Sequence, residues 1–461
     1  MAGEMVTPQP PSAPDAGIAG HARSILALGL PLIGSHVAQM SLQVTDAVML
    51  GWYSVEGLAA GTLGVTLFFT LFVMGSGFAW AVMPLVAHAA ASGEAVELRR
   101  VTRMGLWLSA GFAVLVLPFF WASGPILRAL GQEEALAALA QDYLRIAGFG
   151  MMPALLVMVL KSYLAALERT QVVLWVTVGA ALLNAFLNWV FIFGNLGAPE
   201  MGVRGAALAS VLVALASFAA LALYAGLLPA LRRYTLFARI WRPDREALSR
   251  VFRLGWPIGL TGLAESGLFS AASLLMGWVG MLELAAHGIA LQIISVLFMV
   301  HMGLSNAATV RAGRALGRGD GEGLRRGARV VTAMSLGFAL TTVVLIVAVP
   351  GLLIGLFLAP DDPQRAQVIA VGVGLLAVAA LFQLFDAAQV MALGLLRGVQ
   401  DTRVPMLYAA VSYWGVGVPM SWVLAFPLGL GGPGIWLGLV IGLALASVTL
   451  SLRFWRRVAR I

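Results

Sequence analysis

Twelve long apolar runs leave this chain little choice of fold. They lie near residues 24–50, 57–91, 101–122, 140–166, 172–194, 202–228, 250–279, 284–312, 327–358, 366–396, 404–428 and 432–455. A helix of about 20 apolar residues crosses the ~30 Å hydrocarbon core of a bilayer. Inside that core every backbone N–H and C=O must find its partner within the protein, which leaves helices or closed barrels. Runs of this length are helical, so the pattern predicts an all-α polytopic membrane protein with twelve transmembrane helices. Composition supports this at one decisive point. Only 11% of the residues are charged, where a soluble chain carries roughly a quarter.

The positive charge is almost wholly arginine, and Lys161 is the only lysine. Its placement orients the spans. Arg99, Arg100 and Arg103 follow the second run, Arg169 follows the fourth, and Arg232, Arg233, Arg239, Arg242, Arg245, Arg250 and Arg253 separate the sixth from the seventh. Arg311, Arg314, Arg318, Arg325, Arg326 and Arg329 surround the junction of the eighth and ninth. Arg397 and Arg403 follow the tenth, and Arg453, Arg456, Arg457 and Arg460 end the chain. The opposite side holds Arg128, Arg145, Arg204 and Arg365. Arginine gathers in cytoplasmic loops, so both termini are expected in the cytoplasm, with an even number of spans. The net charge of +8 is read as this bias rather than as a nucleic-acid surface. Residues 1–20 lack the basic and apolar regions of a signal peptide and are expected to form a disordered cytoplasmic tail.

The chain repeats itself. Leu28-Gly29-Leu30-Pro31 matches Leu254-Gly255-Trp256-Pro257, and at the same offset Gly51-Trp52 matches Gly277-Trp278 and Leu98-Arg99-Arg100 matches Leu324-Arg325-Arg326. After a small register shift Gly202 and Gly205 match Gly431 and Gly434. Each half then holds six spans entering the membrane the same way, which predicts two pseudo-symmetric six-helix bundles. The expected lobes are 21–228 and 250–461, joined by a cytoplasmic linker over 229–249. Pro31 and Pro257 would kink the first helix of each lobe and are the candidate hinges.

Ionisable residues inside spans carry the functional signal, because a carboxylate at mid-membrane is costly and marks a cavity or an ion path. Asp46, Glu265 and Asp386 are the three. Asn184 and Asn188 lie four residues apart, on one face of the fifth span. His36, His88, His287 and His301 share no metal-pair spacing and read as hydrogen-bonded bundle histidines. Lys161, near the end of the fourth span, is expected to reach toward the interface. Gly429, Gly431 and Gly434 fit G-x-G-x-x-G but follow no strand. There is no Walker A motif, no G-x-S-x-G elbow and no cysteine. An ATPase, a serine hydrolase and a thiolate metal site are all unsupported, so uphill transport would draw on an ion gradient.

Several segments together resemble the multidrug and toxic compound extrusion (MATE) transporters, in their bacterial NorM-like branch. They are the two L-G-x-P openings, Val44-Thr45-Asp46-Ala47-Val48-Met49-Leu50-Gly51, Asn184-Ala185-Phe186-Leu187-Asn188-Trp189, Gly205-Ala206-Ala207-Leu208-Ala209-Ser210 and Leu396-Arg397-Gly398-Val399-Gln400-Asp401-Thr402. The resemblance implies an antiporter that exports cationic or aromatic small molecules as H⁺ or Na⁺ enters. It places Asp46, Asn184, Asn188 and Ser210 in an N-terminal polar cluster, with Gln39 assigned to the same substrate or proton site. Glu265 and Asp386 match the acidic pair that takes the coupling cation, where Na⁺ would sit, with Gln292 beside them. Phe382 stands where tyrosine is common in that branch, and Gly288 replaces a glutamine after His287. Both changes remove oxygen ligands and favour H⁺. No cofactor, no nucleic acid and no enzyme chemistry are expected, and the chain is expected to act as a monomer in a bacterial inner membrane. A lipid-linked oligosaccharide flippase is the alternative, set back by the mostly acidic intramembrane charge. A membrane-embedded enzyme lacks any nucleophile or metal pair to support it.

Overall fold

The computed structural model describes residues 17–361 and 363–460. Eleven helices among them are long and apolar enough to cross a membrane. In the first half these are α1 (Ile18–Tyr53), α2 (Val55–Ala91), α3 (Ala95–Trp121), α4 (Glu134–Ala166), α5 (Thr170–Phe193) and α6 (Val203–Leu227). In the second half they are α7 (Arg245–Val279), α8 (Met281–Arg318), α9 (Gly321–Ala348), α10 (Arg365–Gly398) and α12 (Gly431–Val458). The remaining span, α11, is composite. It runs as Arg403–Ala410, a π-helical turn Val411–Gly417, and Val418–Ala425. The fold is therefore the expected one: all-α, twelve spans, two six-helix bundles.

Two boundaries differ from expectation. Of the tail expected over 1–20, residues 1–16 lie outside the described residues, and α1 begins at Ile18. The linker expected over 229–249 holds a short turn, Pro229–Arg232, and gives its last residues to α7. Asp244 sets that second start by accepting from the Ala247 N–H at 3.1 Å as a helix N-cap. Arg100 of α3 grips the same carboxylate at 2.5 and 3.1 Å. The guanidinium holds the Asp244 carboxyl below its usual range, and with Glu97 and Arg250 (2.6 Å) the group ties the linker to both halves.

The repeat is visible in the backbone. Glu168 and Gln400, both non-glycine residues with φ near +60°, turn the chain between the fourth and fifth span of each half. Pro31 and Pro257 sit inside α1 and α7, which run on through them. The outer faces are apolar and exposed, as at Trp175, Leu182, Leu223, Leu274 and Val344, because the solvent there is lipid.

The two halves meet most closely toward the arginine-rich ends of the spans. There α2 packs along α7 and α8, and α1 along α8. A Cβ built on Gly77 would stand 2.4 Å from the Gly255 carbonyl oxygen and the Gly259 nitrogen, and one on Gly303 2.8 Å from the Ile33 nitrogen. Glycine is what allows these backbones to touch. His36 meets Asn306 at 3.0 Å, and Arg314 pairs with Glu168 at 2.5 Å across the same seam.

Candidate functional site

Each half carries its own intramembrane acidic cluster, built by different means. In the first half Asn184 and Asn188, one turn apart on α5, both donate to Asp46 Oδ1, at 3.0 and 2.6 Å. Ser210 Oγ of α6 stands 3.5 Å from the other oxygen, Oδ2. The two amides are fully buried, and Asn188 Oδ1 has no partner. Tyr143 of α4 lies within electrostatic reach of Asp46. One carboxylate with a nearly free oxygen, beside an unused amide carbonyl, can accept a proton or the positive end of a ligand.

Gln39 is not part of this cluster. It accepts from Lys161 Nζ at 3.3 Å, so Lys161 turns toward α1 rather than toward the interface. Three of the four span histidines are hydrogen-bonded within the bundle: His36 to Asn306, His287 to Ser273 at 3.1 Å, and His301 to Ser335 at 2.8 Å and Gln383 at 3.0 Å. His88 departs from that reading, its buried Nδ1 having no partner among the described residues.

In the second half Glu265 of α7 and Asp386 of α10 lie within electrostatic reach of each other, and Arg397 and Tyr413 lie within reach of Glu265. Asp386 is buried, and its Oδ1 has no hydrogen-bond partner. Gln389, three residues on and so near Asp386 on the helix surface, donates to the Tyr413 hydroxyl at 2.5 Å and leaves its own buried Oε1 unpartnered. Gln292 is half-buried on α8 and makes no hydrogen bond among the described residues.

Tyr413 reaches this group because α11 is widened. Pro419 has no N–H to donate, and its ring would clash with the carbonyl four residues back. A π-turn relieves the conflict: the Val418 N–H bonds to the Tyr413 carbonyl five residues earlier. Gly417 lets the widened turn lie against Gly442 of α12. Trp414 then donates to the Ala264 carbonyl at 3.1 Å, pinning the turn beside Glu265. Sequence reasoning centred on carboxylates missed Gln389, Tyr413 and Arg397. The i, i+3 spacing of Asp386 and Gln389 was the available signal for the first; Tyr413 had none.

Phe382 points its ring into an aromatic group, 5.9 Å from Phe269 and 5.5 Å from Trp436 between centroids. It offers no oxygen. The oxygens on hand are those of Glu265, Asp386, Gln389 and Tyr413, a set suited to a proton or a small hard cation. No group of three His, Cys, Asp or Glu that could hold a metal ion occurs among the described residues.

The MatE family model matches residues 31–190 and 257–423. Its two stretches open on the repeat-related prolines, the first containing Asp46, Asn184 and Asn188 and the second Glu265 and Asp386. The chain is 45% identical over 440 residues to "Probable multidrug resistance protein NorM" of Agrobacterium fabrum, covering 95% of both chains. It is 46% identical over 441 residues to the protein of the same name in Rhizobium meliloti, covering 96% of this chain and 94% of that one. In fold it superposes on a multidrug resistance MATE family transporter solved in an outward-facing conformation, with TM-score 0.87, 20% identity and coverage of 95% and 96%. A family model that matches both halves in register, on a twelve-span scaffold with an intramembrane acid in each, makes this chain a member of the MatE family of membrane transporters rather than an enzyme.

Proposed function

We propose that the chain is a secondary multidrug efflux antiporter that exports cationic or aromatic small molecules in exchange for H⁺. The relatives named above support the multidrug reading. The observation that carries the coupling is the separation of two acidic clusters: Asp46 with Asn184, Asn188 and Ser210 in one half, Glu265 with Asp386 in the other. Two acids within electrostatic reach of each other cannot both hold their charge cheaply in the membrane, so protonation of one is linked to that of the other. Taking up a cation or a proton neutralises the pair and biases one helix arrangement over another, by as much as its affinities for the two differ. Export of a cation then competes with the incoming ion for the same negative charge. H⁺ is favoured over Na⁺ because Phe382 fills with an aromatic ring the position from which a tyrosine oxygen would coordinate. The lobes are 21–228 and 250–461, Pro31 and Pro257 are their hinges, and the arginine-rich face with both termini lies in the cytoplasm of a bacterial inner-membrane monomer.

The test is drug flux in liposomes holding the purified chain. Flux driven by a pH gradient at zero Na⁺ is expected, and Glu265→Gln and Asp386→Asn should uncouple it. Flux seen only under an inward Na⁺ gradient would overturn the choice of ion, and coupling that survives both substitutions would overturn the site.

A further inference from the structure

The last turns of α12 build a basic cavity for which transport has no evident use. Thr449, Arg453 and Arg457 stand four residues apart, as do Leu452, Arg456 and Arg460, the last just past the helix end. The two rows adjoin on one face, and that face lines a cavity of about 580 Å³. Leu316 from the end of α8, Val399 from the α10–α11 turn and Tyr408 of α11 close the remaining sides. Arginines scattered on a cytoplasmic loop need no explanation. Four converging on one cavity whose lining holds no acidic residue do.

The arginines are unequally bound. Asp401, nearly buried, takes Arg453 in a two-pronged pair at 2.8 and 3.2 Å and holds Arg457 at 3.6 Å. Arg456 and Arg460 have no side-chain partner among the described residues, and Tyr408 makes no side-chain hydrogen bond there. A single carboxylate against four guanidiniums leaves three positive charges in excess. Asp401 therefore fixes the position of the cluster without neutralising it. Around the rim, Arg325 bonds to the Val458 carbonyl at 3.0 Å, and Arg329 lies 6.0 Å from the ring of the half-exposed Trp455. Tryptophan at this depth marks the membrane–water interface.

From this geometry we infer that the cavity is a binding site for a phosphate-bearing anion, supplied by the head group of an anionic phospholipid in the leaflet at the arginine-rich face. Guanidinium forks match phosphate oxygens, the Tyr408 hydroxyl adds a donor, and Leu316, Leu452 and Val399 offer the apolar wall that acyl chains require. A cavity of about 580 Å³ has the share of liquid volume of roughly twenty waters, more than one bare ion needs. Basic pockets between spans at this level are where such head groups dock. The bound lipid would join α8, the α10–α11 turn, α11 and α12, the helices that frame Asp386 and Tyr413.

The test is thermal unfolding of the purified full-length chain in neutral detergent, titrated with phosphatidylglycerol, phosphatidylcholine or inorganic phosphate. Phosphatidylglycerol should raise the unfolding temperature, and phosphatidylcholine should not. In R456Q/R460Q half-saturation should need roughly thirtyfold more phosphatidylglycerol, at the usual strength of two arginines near a charged surface. R456K/R460K should retain most of the affinity, which separates lost charge from a damaged fold. R232Q/R242Q, which removes the same charge from the linker on the same face, should change little. An equal effect of inorganic phosphate would keep the anion site and move its source to soluble phosphates. Equal responses to the two lipids, or equal losses in the two Gln double variants, would overturn the site.

Discussion

A single methyl group at Gly77 should push the molecule toward its other conformation. The Cβ of Gly77→Ala would fall 2.4 Å from the Gly255 oxygen and from the Gly259 nitrogen, both backbone atoms of α7. No rotamer can relieve a clash with backbone, so α2 and α7 must separate. Overpacking of this kind costs about 1–3 kcal/mol. The cost falls only on the state in which the seam is closed, so the closed-to-open ratio should drop about 5- to 150-fold. The chain has no cysteine, which makes any introduced thiol unique. Ala307 is fully buried and faces Gly29 of α1 across the same seam. Maleimide labelling of Ala307→Cys in membranes therefore reports opening, and its rate should rise by that factor when Gly77→Ala is added. Gly337→Ala on α9 meets nothing within 4 Å and should leave the rate unchanged. An unaltered rate in Gly77→Ala, or an equal rise in Gly337→Ala, would refute the reasoning.

Further outcomes follow from the clusters and the topology. Asp46→Asn should abolish drug resistance in cells at unchanged expression, since it removes the charge that Asn184 and Asn188 are arranged around; growth on drug plates together with a membrane immunoblot checks this. Tyr413→Phe leaves the buried Gln389 Nε2 without its acceptor, at a cost of about 1–3 kcal/mol, and should lower both thermal stability and transport rate. Phe382→Tyr restores an oxygen beside the acidic pair and should make liposome transport responsive to Na⁺ at constant pH. Reporter enzymes fused within 233–243 should be active only when tested for a cytoplasmic position.

Most of the scaffold was legible because its causes are one-dimensional. Apolar length set the span count, arginine set the expected orientation, and the ungapped match from Leu28 to Arg326 set the six-plus-six division. The Asp46 cluster could be anticipated because Asn184 and Asn188 advertise a shared helix face, and it forms from short polar side chains on three neighbouring spans. The second cluster was only half legible. Glu265 and Asp386 stand out as acids in apolar runs, but Gln389 and Tyr413 join them through the π-turn in α11. That turn depends on how Pro419, Gly417 and Gly442 fit together in three dimensions. Gln39 was grouped with Asp46, but the structure gives its hydrogen bond to another residue. It shares α1 with Asp46 but lies seven residues earlier, and a lysine from α4 claims it.

The same residue shows how a repeated scaffold comes to hold unequal sites. At the offset that maps Pro31 onto Pro257, Gln39 maps onto Glu265. The second half thus places an acid where the first places a neutral amide, and the first adds Lys161 beside that amide. The fifth span of each half diverges as well: α5 is a continuous helix presenting two asparagines, whereas α11 is widened to present a tyrosine. A cation entering from water therefore meets attraction at the Glu265 level of one half and a resident positive charge at the matching level of the other. Two identical halves would offer a cation two equivalent sites. The Gln39–Lys161 pair breaks that equivalence, and under the function proposed above the incoming ion is expected in the second half, with Asp46 as the negative charge of the first.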